Sequence, residues 1–310
     1  MSEFKKKLLI TGGAGFIGSN FINYIHRYYP NYKILLLDAL TYAGNLDNIS
    51  PALKSNCHFE FFHGNITHPD LVGKLVADAD IVVHFAAESH VTRSIYDNAI
   101  FFETDVIGTQ VVANAAVNNP VELFVHISSS EVYGFPKKFP TPENEPLIIP
   151  DPENPRFSYS SSKIIGEIMI INFAKKFGID YTIGRFHNVY GPRMGFEHVI
   201  TELVKKCHIS NEVIVQGDGK ESRCFCYISD AIDAILLCTN HIDGKNRIFN
   251  IGNPVETTIN ELLKIIEKVG NKSITPVFKP FENAGTRRRY PEIMKLKALG
   301  FEPKISLEEG

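Results

Sequence analysis

The sequence predicts an α/β protein whose core is a doubly wound parallel sheet, and three observations predict it. A glycine-punctuated turn follows the first apolar run, Leu8 to Ile10, and the chain then resumes as a helical pattern through Phe21, Ile22 and Ile25. Strand-length apolar runs go on alternating with helical patterns to about residue 130. A carboxylate, Asp38, closes the second run, Ile34 to Leu37, twenty residues after Gly18. Strands that alternate with helices form a parallel sheet covered on both faces, with ligands bound beyond the carboxyl ends of its strands.

The first turn carries Gly12, Gly15 and Gly18 in the spacing G-x-x-G-x-x-G, with Gly13 as an extra member. A tight strand-to-helix turn, a backbone open to a pyrophosphate, and a helix packed closely on its strand all require glycine. The helix that starts at Phe16 and Ile17 then offers unpaired N–H groups and the positive end of its dipole to the phosphates. A carboxylate at the tip of the second strand accepts hydrogen bonds from the adenosine ribose and repels a 2′-phosphate. Together these residues predict a Rossmann dinucleotide site that takes NAD.

The remaining elements fall in order. After Asp38 a polar loop through Asn45 lies along the adenosine. His58 to Phe62 is a third strand, followed by Asn65 and Ile66. Ile81 to Ala87 is a fourth, whose small end (Phe85, Ala86, Ala87) leaves room for a nicotinamide ribose; Ser89 follows it. Leu123 to Ile127 is a fifth and runs into Ser128-Ser129-Ser130-Glu131. A proline-rich connection from Pro136 to Pro155 reads as a long surface loop. Tyr159 and Lys163, four apart, then open an amphipathic helix carrying Ile164, Ile165, Ile168, Met169, Ile171 and Phe173. Residues four apart on a helix share a side. The ammonium is expected to favour the phenolate and lower the tyrosine pKa toward that of a general base, with a strand-end serine holding a substrate oxygen between them.

Composition narrows the class. The 310 residues are 44% hydrophobic and 22% charged, with a net charge of −3, so a full soluble core is expected and nothing points to nucleic acid or a membrane. Neither a secretory leader nor a transmembrane run is read, which predicts a cytoplasmic protein. The five cysteines are scattered; Cys224 and Cys226 lack companions that would complete a metal site, so reduced thiols and no metal are expected. His84 and His126 lie in apolar strands and read as core; His187 reads as a hydrogen-bonded structural residue.

Across TGGAGFIGS, LDALTYAGNLDNI, HFAAESHVTRS, SSSEVYG, YSSSK, RFHNVYGPRM, GDGKESR, NIGNP and TRRRYPEI, the chain resembles the extended short-chain dehydrogenase/reductase family of NAD-dependent nucleotide-sugar epimerases and dehydratases. The resemblance implies transient oxidation of a sugar at C4, with Tyr159 as base, Lys163 holding its pKa down and gripping the nicotinamide ribose, and Ser129 bonding the sugar oxygen. It adds Thr104 to the cofactor site and places Asn65 where relatives carry an Asp facing the adenine. It also implies that Ser89, Asn188, Arg223 and Arg288 or Arg289 bind the substrate, the last four at its diphosphate, where a planar charged fork suits phosphate oxygens.

The second chemical step is less uniform. Dehydratases similar to the cofactor half carry Thr-Asp-Glu where this chain has Ser129-Ser130-Glu131. A serine hydroxyl is too weak an acid to replace that Asp. Glu131 could still act at C5, and a Ser-Glu pair also resembles UDP-glucuronate decarboxylases, whereas the later segments are more like 4-epimerases. The expectation is a 4-epimerase, with a 4,6-type dehydratase, a UDP-glucuronate decarboxylase, or a non-catalytic NAD-sensing protein as alternatives. The chain is expected to divide into an NAD-binding part (1–185 plus about 225–250) and a smaller, interleaved nucleotide-sugar-binding part (186–224 and 251–310). Relatives pair through two helices, here about 101–118 and 160–177, so a homodimer is expected, and relatives usually continue past residue 310 into one more helix.

Overall fold

The computed structural model describes residues 5–280 and 286–310. Its centre is a seven-stranded sheet, parallel throughout. Along the chain run β1 (Lys6–Thr11), α1 (Phe16–Tyr28), β2 (Tyr32–Asp38), α2 (Pro51–Lys54), β3 (Phe59–His63), α3 (Pro69–Ala77) and β4 (Ile81–His84). There follow α4 (Val91–Tyr96), α5 (Asn98–Phe101), a π-helical turn (Phe102–Gly108), α6 (Thr109–Asn118), β5 (Leu123–Ser129), α7 (Ser158–Phe177) and β6 (Tyr181–Phe186). After β7 (Val189–Tyr190), α8 (Val199–Ile209), β8 (Glu212–Gln216), β9 (Ser222–Cys224), β10 (Cys226–Tyr227) and α9 (Ile228–Asn240), the chain returns to the central sheet as β11 (Arg247–Ile251).

The strand order is β11-β6-β5-β4-β1-β2-β3. It reverses between β1 and β4, so the ligand crevice of such a sheet lies above the carboxyl end of β1. The central strands are Val-, Ile- and Leu-rich because both faces are covered. One face packs Ile10, Leu36 and Val125 against α1 and α9; the other packs Leu9, Leu35, Val82 and Ile183 against α3, α6 and α7. A third cluster, Leu203, Val213, Val215, Leu262 and Leu263, joins α8 and β8 to α10 (Ile259–Gly270) beyond β12 (Glu256–Thr258). Thr258 and Glu261 form a reciprocal capping box at the start of α10. The strand β13 (Thr275–Lys279) pairs with β8, and α11 (Met294–Ala298) precedes the final segment.

Two expectations are corrected. The fourth strand ends at His84 rather than Ala87. Its neighbour β1 stops where Gly12 turns to a φ of +71°, leaving Phe85 N to donate to Thr11 O at 3.0 Å and no ladder beyond. The inner face of helix α7 is not wholly apolar. Ser160, Lys163 and Glu167 lie buried with Ile170 and Ala174, while Ile165 and Ile168 face outward. The inward charges are tolerated because each meets an opposite charge, Lys163 with Asp105 and Glu167 with Arg185.

Candidate active site

The crevice above β1 is shaped by missing side chains. A Cβ on Gly12 would stand 2.5 Å from the Ala86 backbone, and one on Gly18 would stand 2.5 Å from Gly12 O. A Cβ on Gly15 would meet only Gly12 O, at 3.4 Å, and would project into the opening. No side chain caps the N-terminus of α1, and its first turn holds no acid. Beside it the Asp38 carboxylate is buried; it accepts from Ala14 N at 2.9 Å and Leu40 N at 2.8 Å, with lone pairs left for two hydroxyls. These residues fit a dinucleotide: open backbone and a dipole for phosphate, and a carboxylate where a ribose would lie. Asn45 N donates to Ala14 O, and the Asn45 side chain caps the turn at Asp47; Asn65 Oδ1 accepts from Thr67 N beside buried Ile66; Phe85 packs on Phe21. Thr104 sits in the π-helical turn, half-buried.

Tyr42, from the loop after β2, crosses to the loop after β4. Its hydroxyl lies 2.8 Å from Ser89 O, 3.0 Å from Ser89 Oγ and 3.2 Å from Ser89 N, and the Arg93 guanidinium stacks 3.4 Å from its ring centre. Since β1 lies between β2 and β4, this bridge spans the crevice over the glycine turn.

At the carboxyl end of β5, Ser129 lies beside the Tyr159 phenol, whose ring packs edge-on against Phe101. The Lys163 ammonium stands 5.9 Å from the Tyr159 ring centre and 3.7 Å from Asp105 Oδ2. In this arrangement the phenol is pushed up, chiefly by burial and then by the Asp105 charge. The expected lowering by Lys163 is therefore not realised in the chain alone: burial of the phenol outweighs it, and the Asp105 charge adds to the rise. The carboxyl of Asp105 is itself raised by burial, against the pull of Lys163.

Beyond Tyr159, Glu131 is ion-paired to Arg289 at 2.6 Å, and the same buried guanidinium donates to Ser130 O at 2.6 Å. Arg288 instead points to the exterior and forms two bonds to Glu256, at 2.6 and 2.7 Å. Arg223 donates to Ser222 O at 2.8 Å; burial, with Arg289 near, brings it down to about 10. Asn188 takes the left-handed backbone (φ 41°) and reaches Cys224 O at 3.5 Å. His187 is buried against Asn250 Oδ1 at 3.1 Å and is pushed down to about 3 by burial, which makes it a neutral structural group. Burial likewise depresses His84, to about 3, and His126.

Comparison with known proteins follows the same line as the geometry. The profile of the NAD dependent epimerase/dehydratase family matches residues 8–252. The chain belongs to that family. The low-salt glycan biosynthesis protein Agl12 of Haloferax volcanii is 37% identical over 309 residues, covering 98% of this chain and 95% of that protein. The UDP-glucose 4-epimerase of Thermotoga maritima, solved with UDP-glucose, superposes with a TM-score of 0.87 at 32% identity, covering 98% of this chain and 96% of that one. The dTDP-glucose 4,6-dehydratase of Streptomyces venezuelae, solved with NAD bound, gives 0.88 at 33% identity, covering 98% and 94%. Fused trifunctional plant relatives are longer, and the chain spans 46% of RHM1 of Arabidopsis thaliana. The protein is thus an NAD-dependent enzyme of the nucleotide-sugar epimerase/dehydratase class, with the Rossmann fold of its relatives.

Several residues of this epimerase/dehydratase site were not legible in the sequence. Beneath Ser129, Ser128 Oγ donates to Glu167 Oε1 at 2.5 Å, and Arg185 donates to both Glu167 oxygens at 2.9 and 2.6 Å, to Tyr133 Oη at 2.9 Å and to Glu143 O at 2.9 Å. Glu167 does fall four residues after Lys163, a helical spacing that puts it on the same inner stripe. Asp105 and Tyr42 carried no local signal, since their partners lie far away along the chain.

Proposed function

We propose that the protein is a nucleoside-diphosphate-hexose 4-epimerase, with Tyr159 as its proton-transfer residue. Bound NAD supplies the hydride acceptor and donor. Tyr159 takes the proton of the C4 hydroxyl, Ser129 holds that oxygen, and Lys163 stabilises the phenolate. The 4-keto sugar then turns in the site, and Tyr159 returns the proton to the C4 oxygen as the opposite face is reduced. Gly12, Gly15, Phe16, Ile17, Asp38, Asn45, Asn65, Ile66, Phe85, Ala86, Ala87 and Thr104 would hold the cofactor. Ser89, Asn188 and Arg223 would hold the sugar nucleotide; Arg289, tied to Glu131, and Arg288, paired outward with Glu256, would each have to loosen an ion pair to join them.

One observation carries the choice among reactions. Where an elimination needs an acid beside a free base, Ser130 supplies only a hydroxyl, and Glu131 is held by a buried guanidinium at 2.6 Å. The ion pair ties Glu131 to Arg289 and restrains its carboxylate from swinging toward a sugar carbon. The division of the chain into a cofactor part and an interleaved substrate part belongs to the same reading. So does a cytoplasmic homodimer. Exposed Phe102, Ile107, Ile165 and Ile168 on the two expected helices support pairing. No described helix is long and apolar enough to cross a membrane, and the cysteines are free thiols.

The test is incubation with UDP- and dTDP-hexoses, their N-acetyl and uronate forms included, followed by mass spectrometry and NMR. A product of unchanged mass and inverted C4 is expected. Loss of water would make Glu131 a C5 base and the protein a dehydratase; loss of carbon dioxide from a uronate would make it a decarboxylase.

A further inference from the structure

Asp105 occupies the π-helical turn, one of the few devices that re-aims a helix's side chains and one that recurs at functional sites. It is buried to 1% exposure. Its Oδ1 accepts from the Glu88 N–H at 2.7 Å, and its Oδ2 accepts from the Ser162 hydroxyl at 3.0 Å. Lys163 Nζ stands 3.7 Å from the same Oδ2, and Asp105 is the only carboxylate in an ion pair with Lys163 among the described residues. A buried charge costs several kcal/mol unless it is paired, and an asparagine here would fill the same space at no such cost. The charge is therefore the feature to explain.

We propose that Asp105 is a positioning residue: its ionised carboxylate holds the Lys163 ammonium toward the Glu88 loop and so governs how readily Tyr159 gives up and takes back its proton. This rests on Tyr159 being the proton-transfer residue. A 4-epimerase uses that residue twice, first as base on the C4 hydroxyl and then as acid on the C4 oxygen. A phenolate stabilised too far would accept the first proton but fail to return it. An ammonium alone pulls in that direction, and the carboxylate opposes it. The other groups around Tyr159 are Ser129, Glu131 and Tyr42, with Arg289 behind Glu131; neutral His84 and His126 lie near Lys163.

The experiment compares wild type, Asp105→Asn and Tyr159→Phe on whichever UDP- or dTDP-hexose the wild type converts in the incubation above, measuring kcat/KM against pH, and adds a crystal structure of Asp105→Asn. Removing the negative charge moves the ascending limb to lower pH by about one unit, so that below the wild-type limb the variant turns over up to about tenfold faster. A residue that served packing alone would only slow the enzyme. In the crystal, Lys163 Nζ leaves residue 105 and closes on the Tyr159 oxygen. A limb that stays in place or moves up, or a Lys163 that does not move, overturns the proposal. If Tyr159→Phe keeps full turnover, the base assignment falls instead, and the crystal position of Lys163 still reports on Asp105. Should Asp105→Asn give no folded protein, Asp105→Ser removes the same charge and is read in the same way.

Discussion

Arg185 is the strongest single test of how the site is held. Its guanidinium is 3% exposed and its partner Glu167 2%, so the pair is wholly out of water. Arg185→Met removes two charged bonds to Glu167, together with those to Tyr133 and Glu143, and leaves the Glu167 carboxylate buried with the Ser128 hydroxyl as its remaining donor. Breaking one partner out of a buried pair costs about 3–5 kcal/mol. With an m-value of about 3 kcal/mol/M in urea, the unfolding midpoint falls by about 1–2 M. The chain has no tryptophan, so far-ultraviolet circular dichroism and tyrosine fluorescence are the probes. Adding Glu167→Leu to Arg185→Met removes the orphaned charge and restores about 1–2 kcal/mol. A single variant within about 1 kcal/mol of the parent, or a second change that destabilises further, would refute the reasoning.

Two other outcomes follow from the same structure. Tyr42→Phe removes the hydroxyl that bridges to Ser89; losing hydrogen bonds of about 0.5–1.5 kcal/mol each raises the NAD dissociation constant up to about tenfold, read by calorimetry, while the fold is unchanged. An unaltered affinity would show that the bridge does not close over the cofactor. His84 and His187 have folded-state values near 3 against about 6.5 unfolded, and His126 is depressed too, so the unfolded chain binds the extra protons. Their contribution is whole above pH about 6.5 and is lost as the pH falls below it, by about 1.4 kcal/mol per unit for each histidine. Urea melts at pH 7, 6 and 5 check this, and His187→Asn flattens the decline; equal midpoints at all three would contradict it.

What the sequence made legible is local. Gly12 and Gly18 announce themselves because no other residue fits their surroundings, Asp38 because it closes a strand at a fixed offset from the glycine turn, and Tyr159 and Lys163 because they stand four apart on one helix. What it hid is long-range. Glu131 and Arg289 are 158 residues apart and meet where residues 288–291 bridge to Ser222 and Thr141; Tyr42 and Ser89 are 47 apart and meet through the order of the sheet. Helix α7 misled for a related reason: its apolar residues read as the buried stripe, yet Lys163 and Glu167 are the ones turned inward, since Asp105 and Arg185 wait there. A pattern of hydrophobicity cannot show a buried charge whose partner lies on another element.

The most direct test of the central claim, C4 oxidation followed by return to C4, uses a nucleoside-diphosphate hexose deuterated at C4 and C5, in ordinary water. The account predicts a C4-inverted product with the deuterium still on C4 and no solvent hydrogen at C5. Deuterium found at C6, with solvent hydrogen at C5, would contradict it and establish a 4,6-elimination.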